Sequence, residues 1–290
     1  MTRHLGWLGF VLAVAARSVL GQAPADHNRF EARWPLDSDG SVRIVDPAGR
    51  IRVIGWDVDS LVVSGRGPGR LAAAGTVGVR KLVVTGRAEL EVHVPRGARV
   101  WVKSASADID VVGVDGTLDL NSVAGAIHVV GTPADVTAET MDGPVELAGG
   151  SGRARVKTVS GDILLRGASV DLGASTLSGT IVVRAAGWQR GGTGVQRGRF
   201  ESVTGDVRFD GELGRGGIVE LESQSGAIAL RVPATTVADF DLVTIGGSIT
   251  NRLTAATAGR GVLRFSTGAE GGGAQVTARS FKGSISLDAK

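Results

Sequence analysis

The chain has 290 residues with a formal net charge of +3; 45 are Gly, and neither Cys nor Tyr occurs. The lack of Cys excludes disulfides, thiolate metal sites and a lipid-modified N-terminal Cys. So small a net charge gives no electrostatic case for nucleic acid or an anionic membrane as partner.

Residues 1–25 read as a secretory signal peptide. Arg3 supplies the charged start, and Leu5 to Ala16 is an apolar run short of the ~20 residues that span a bilayer. Ala23-Pro24-Ala25 offers a small-x-small cleavage site, which places the mature start at Asp26. A retained anchor is the weaker alternative, because Arg17 interrupts the segment, and no later stretch is long enough to span. Cleavage removes Arg3 and Arg17 from the 32 basic residues and none of the 29 acidic ones, leaving a net +1. The expected address is extracytoplasmic: periplasm, cell surface or medium.

Residues 26–97 are rich in strand patterns without a fixed period and are expected to form a β cap with entry strands. Asp46 to Val53 echoes the repeat described next, Gly55-Trp56-Asp57 leads into Leu61-Val62-Val63, and Leu90 to Val94 alternates before a turn at Pro95-Arg96-Gly97.

Residues 98–251 carry the main signal. The pattern S/T-x-x-G-x-φ-x-φ, with φ apolar, starts at Ser104, Ser122, Thr140, Thr158, Thr176, Ser202, Ser223 and Thr244, and once more at Ser280. Ala107 replaces the Gly once and Asn251 the last apolar residue once. The first four spacings are 18 residues each. Two short alternating strands per period predict a predominantly parallel β-solenoid with 18–21-residue coils, an all-β fold. The inward columns are Leu118/Leu120, Val136/Ala138, Leu172/Ala174, Val219/Leu221 and Phe240/Leu242 on one strand, and Ile127/Val129, Val145/Leu147, Ile163/Leu165 and Ile181/Val183 on the other. One coil buries too little to offset the ordering of its own backbone, so stacking is obligatory. The Gly fits a turn that needs positive φ or close approach of successive coils. The Ser/Thr column fits a hydroxyl ladder to turn backbone groups, far better than nine nucleophiles.

Residues 252–290 are expected to close the fold with a hairpin. Val262 to Phe265 and Ala274 to Ser280 flank a Gly-rich turn.

Ile51-x-Val53-x-Gly55-Trp56-Asp57, Val94-Pro95, the serial units Thr158–Ile163 and Thr204–Val207, and Ser223 to Pro233 together resemble the bacterial "putative adhesin" domain of unknown function, a β-strand-repeat family. The resemblance covers about residues 40–290. It implies the repeat fold and an adhesin-like role, and it brings no catalytic or binding residues with it.

Patterns for chemistry are sparse. His27, His93 and His128 stand far apart, outside any metal-ligand spacing, and no nucleophile elbow, phosphate loop or calcium nonapeptide occurs. No cofactor or metal is implied. Asp108, Asp110 and Glu146 are the acids that a carbohydrate-active β-helix would use, but solvated surface acids are the plainer reading. Two places are candidates for partner binding. The insertion 184–199 breaks the period and carries Trp188, Arg190, Arg197 and Arg199, residue types favoured as binding anchors. The outward pair Leu164 and Val182 forms a small apolar patch. The expected function is an exported, non-catalytic interaction module for an envelope protein or glycan. A carbohydrate-active enzyme and a scaffold that polymerises end to end are the alternatives.

Overall fold

Ile127, Val145, Ile163 and Ile181 are β-branched residues that alternate with more exposed neighbours, so each occupies an inward position on a pleated strand. In the computed structural model, which describes residues 29–150, 152–167, 170–185, 194–268 and 273–290, these four share one register column. The column continues through Ile109, Val207, Ile228 and Ile285. Every strand lies in one of two 13-stranded sheets, and no α-helix occurs among the described residues. The inner faces of the sheets pack on each other as one apolar core. The predominantly parallel β-solenoid is thus the observed fold.

Each coil contributes one strand to the sheet that holds Arg99–Ser104, called sheet B, and the next to the sheet that holds Asp108–Val112, called sheet A. The middle of the stack follows sequence order through coils 99–112, 117–131, 135–149, 153–166, 171–185, 195–211 and 213–232. Both ends depart from it. The coil 41–56 lies between coils 79–95 and 99–112, pairing in parallel with each. The last coil in sequence, 274–289, lies between 213–232 and 238–251. The stack therefore interlaces at both ends.

This arrangement corrects the expected closing hairpin. Val262–Thr267 pairs antiparallel with Ala238–Thr244, not with Ala274–Ser280, which takes the other side of Ala238–Thr244. The reason is that Ala274, Val276 and Ala278 are inward residues of a complete coil, whose second strand Ile285–Ala289 needs a place in sheet A.

Antiparallel strands cover the edges. Arg70–Gly75 and Val262–Thr267 bound sheet B, and Arg29–Pro35 bounds sheet A at the N-terminal end. At the other end Ile249–Asn251 is only three residues long. Asn251 explains its own departure from the repeat. Its side-chain amide donates to Thr254 Oγ1 and the Ala256 carbonyl and accepts from the Leu253 and Thr254 N–H groups, turning the chain across the open end. Such covers suppress edge-to-edge pairing.

The hydroxyl column is buried, and each member accepts the N–H three residues on, as Thr158 does from Gly161 at 2.9 Å. Several also donate to the turn of the coil before, as Ser122 does to Ala107 O and Thr244 to Gly283 O. The repeated Gly is required by close approach: a Cβ at Gly161 would stand 2.0 Å from Gly143 O. A second ladder runs beside it. The carboxylates of Asp108, Asp162 and Asp206 accept the N–H groups of Ala126, Thr180 and Ala227 in the next coil.

Candidate functional site

On the outer face of sheet B the strand Asp171–Thr176 presents Gly173 where its neighbours present long side chains. With no side chain of its own, Gly173 leaves a floor over which Arg155 lies; a Cβ there would stand 2.9 Å from Arg155 Cδ. The register sets Arg155, Gly173, Arg199 and Glu220 in one row, and Arg153, Asp171, Arg197 and Ile218 in the row beside it. All of these but Arg153 border an open groove of about 350 Å³.

Asp171 organises the groove. Its carboxylate is nearly buried and meets Arg155 at 2.8 Å, Arg197 at 3.2 Å and Arg153 at 3.7 Å. Burial acts to raise its pKa, but the hydrogen bonds and charge of Arg155 and then Arg197 outweigh it and hold the carboxyl below its usual range. Arg199 is paired with Glu201 and, at 3.2 Å, with Glu220. Its guanidinium is held further into the charged range, first by the hydrogen bond it donates to Glu201 and then by that residue's charge. These carboxylates fix guanidinium planes on the groove wall, while Ile218 adds an exposed apolar surface. A fixed guanidinium beside an apolar floor suits a ligand with oxygen acceptors and a flat carbon face.

The structure divides the residues singled out from sequence. Arg197 and Arg199 are brought together, on the strand Val195–Ser202 rather than in a loop, because their alternation continues the sheet B columns. The strand Ile181–Ala185 likewise extends into the expected insertion, which shrinks to the segment between it and Val195. Trp188 and Arg190 lie outside the described residues. Leu164 and Val182 are register neighbours and half-buried, but they lie on sheet A, apart from the arginines. Arg155, Asp171, Gly173, Ile218 and Glu220 were missed. The legible signal was Gly173, an outward Gly in an otherwise regular strand, flanked by an acid and by basic residues one coil away.

The acids weighed for catalysis do not form an open pair. Asp108 is committed to the Ala126 N–H. Asp110 and Glu146 face His128 from the two adjoining coils, at 3.8 and 3.9 Å, so the imidazole fills the interval between them. His93 pairs with Glu91 at 2.9 Å and lies against Trp56 with the two rings tilted, and His27 lies outside the described residues. No cluster of His, Asp or Glu suited to a metal ion occurs among the described residues, and no helix there is long and apolar enough to cross a membrane.

The model of the Toastrack DUF4097 family matches residues 70–288. Among solved structures, the chain is similar to a protein of Parabacteroides merdae named "putative adhesin", with 10% identity over 90% of this chain and 97% of that one and a TM-score of 0.43. A Bacteroides fragilis protein of the same description has 11% identity over the same shares, with a TM-score of 0.42. A Parabacteroides distasonis protein named "putative lipid binding protein" has 12% identity, again over 90% and 97%, with a TM-score of 0.39. No curated protein matches the chain.

Proposed function

We propose that this chain, which belongs to the Toastrack DUF4097 family, is an exported, non-catalytic interaction module that presents a rigid sheet surface to a glycan or protein of the cell envelope. The observation that carries this reading is the groove on sheet B, where Arg155, Arg197 and Arg199 are held in place by Asp171, Glu201 and Glu220 around the bare floor at Gly173. Their positions are set before any ligand arrives, which lowers the ordering cost of binding. Trp188 and Arg190, a few residues before Arg197 in sequence, are candidates by residue type alone. Export rests on Arg3, the apolar run Leu5–Ala16 and the Ala23-Pro24-Ala25 site. The end-to-end scaffold is less favoured, because the outermost strands at three sheet edges run antiparallel, against the parallel register that coil stacking needs, and Asn251 turns the chain at the fourth.

The test is a glycan-array and envelope pull-down screen with the full chain, followed by titration of whatever it retains. Replacing both Arg197 and Arg199 by Ala should weaken binding at least about tenfold, while the melting temperature stays within a few degrees. Unchanged affinity would place the site elsewhere, and the Leu164–Val182 face is the next surface to alter.

A further inference from the structure

Each turn places one residue immediately after the column Ser or Thr, and these residues form an exposed row along one edge of the solenoid. Val123, Met141, Val159 and Leu177 head four successive coils. Val203, Gln224, Phe281 and Ile245 head the next four, in the interlaced spatial order. Met141, Leu177, Phe281 and Ile245 are 52, 51, 50 and 72% exposed. At about 4.8 Å per coil the row is about 34 Å long. It is held straight by backbone bonds: the N–H groups of Asp142, Ser160, Ser178 and Thr204 donate to the carbonyls of Val123, Met141, Val159 and Leu177 at 2.9–3.0 Å. Apart from the polar Gln224 and the half-buried Val203 the row is exposed and apolar, and an apolar surface of this length marks an interaction site.

The two halves of the row differ. Along the second half, from Leu177 to Ile245, it borders a groove of about 670 Å³ whose opposite wall includes Glu201, Glu222 and Arg279 on sheet B. In the first half, Val123, Met141 and Val159 run beside Asn121, Glu139 and Lys157 of the same sheet B column. An antiparallel two-fold contact sets each half of the row against the other.

We propose that a second copy of this chain docks here, antiparallel, with the first half of each row set against the second half of the other. The charges select the register. With the two-fold axis between the coils of Leu177 and Val203, Lys157 faces Glu222 of the second copy and Glu139 faces its Arg279. Met141 then meets Phe281, and Val123 meets Ile245. A slip of one coil in one direction sets Glu139 against Glu222 and Asp162 against Asp206. A slip in the other sets Lys157 against Arg279 and Glu201 against its own copy. Only the intermediate register is free of like pairs among these positions. An interface built on one row and its flank lies near the small end of specific contacts, about 1,000 Å² in total, so the pair is reversible. The contact lies at the turn edge and adjoins the arginine groove, with which it shares Lys157 and Glu201.

Sedimentation velocity on the full chain from about 1 to about 100 µM should show a concentration-dependent dimer. Lys157→Glu should weaken it at least about tenfold, and Lys157→Glu combined with Glu222→Lys should restore it. Both positions are on the surface, so melting temperatures should match. The chain has no native Cys, so Met141→Cys with Phe281→Cys should give disulfide-linked dimers on mild oxidation, and Met141→Cys alone should not. A monomer at every concentration overturns the proposal. So does a dimer indifferent to Lys157→Glu, or cross-linking by Met141→Cys alone.

Discussion

Ile163 is fully buried in the central column, whereas Thr180 faces outward and is held by its backbone, its N–H donating to Asp162 and its carbonyl accepting from the Ile163 N–H. Ile163→Ala should therefore cost roughly 2–5 kcal/mol, and Thr180→Ala should stay within about 0.5 kcal/mol. Denaturant melts compare them directly, and equal effects would contradict the assigned faces. Asp46 is the exceptional residue. It is Ser104's register neighbour in the hydroxyl column, yet it is a fully buried carboxyl, and its Oδ2 meets no hydrogen-bond donor among the described residues. Desolvation raises its pKa to about 6 from 3.8, against a lowering by the Ala48 N–H. The folded state thus binds this proton more tightly than the unfolded state. The associated stability is fully present below pH 3.8 and is lost as pH rises through about 6, a change of about 3 kcal/mol. Asp46→Ser should remove that dependence, so its advantage over the parent chain should grow between pH 4 and pH 7. A constant difference across that range would show that the carboxyl does not carry the effect. The sequence displayed Asp46 as an echo of the repeat; its burial is a property of the stack and was not legible.

At the scale of strands and coils, the alternation was enough to give the inward columns, from Leu118 to Phe240, because period two ties face to position without regard to partners. Coil order was not legible. The turn at Gly268 and Gly273 looks like a hairpin turn, and nothing local states that Ala274–Ser280 passes Ala238–Thr244 to reach Glu220 and Leu221. That choice belongs to the core, where Val276 and Ala278 are buried between Val219 and Leu221 on one side and Phe240 and Leu242 on the other. Removing residues 274–290 should accordingly expose both neighbouring coils and destabilise the C-terminal end, rather than trim a dispensable tail. Limited proteolysis should then cut within 213–251, a span that should resist cleavage in the full chain. Resistance unchanged by the truncation would mean that the coil is an appendage.

At the scale of the whole molecule, the two surfaces assigned here, the arginine groove and the apolar turn row, are products of stacking. Arg197 and Arg199 were legible as basic residues near an insertion, but Asp171 and Gly173 gain meaning only because 18 residues of chain return them beside Arg155. The turn row is likewise dispersed in sequence: Phe281 precedes Ile245 in space although it follows it in the chain. Everything assigned to these surfaces depends on the spatial order of the coils, and one pair of substitutions reads that order. Glu222 and Arg279 are register partners on adjacent strands. In a sheet their Cα atoms stand about 4.8 Å apart, within the range a disulfide bridges. Val243 lies one strand beyond Arg279, so it is about twice that distance from Glu222, too far to bridge. In this cysteine-free chain, Glu222→Cys with Arg279→Cys should form an intramolecular disulfide on mild oxidation, and Glu222→Cys with Val243→Cys should not. Ready closure of the second pair and failure of the first would show a stack in plain sequence order and contradict the interlaced solenoid.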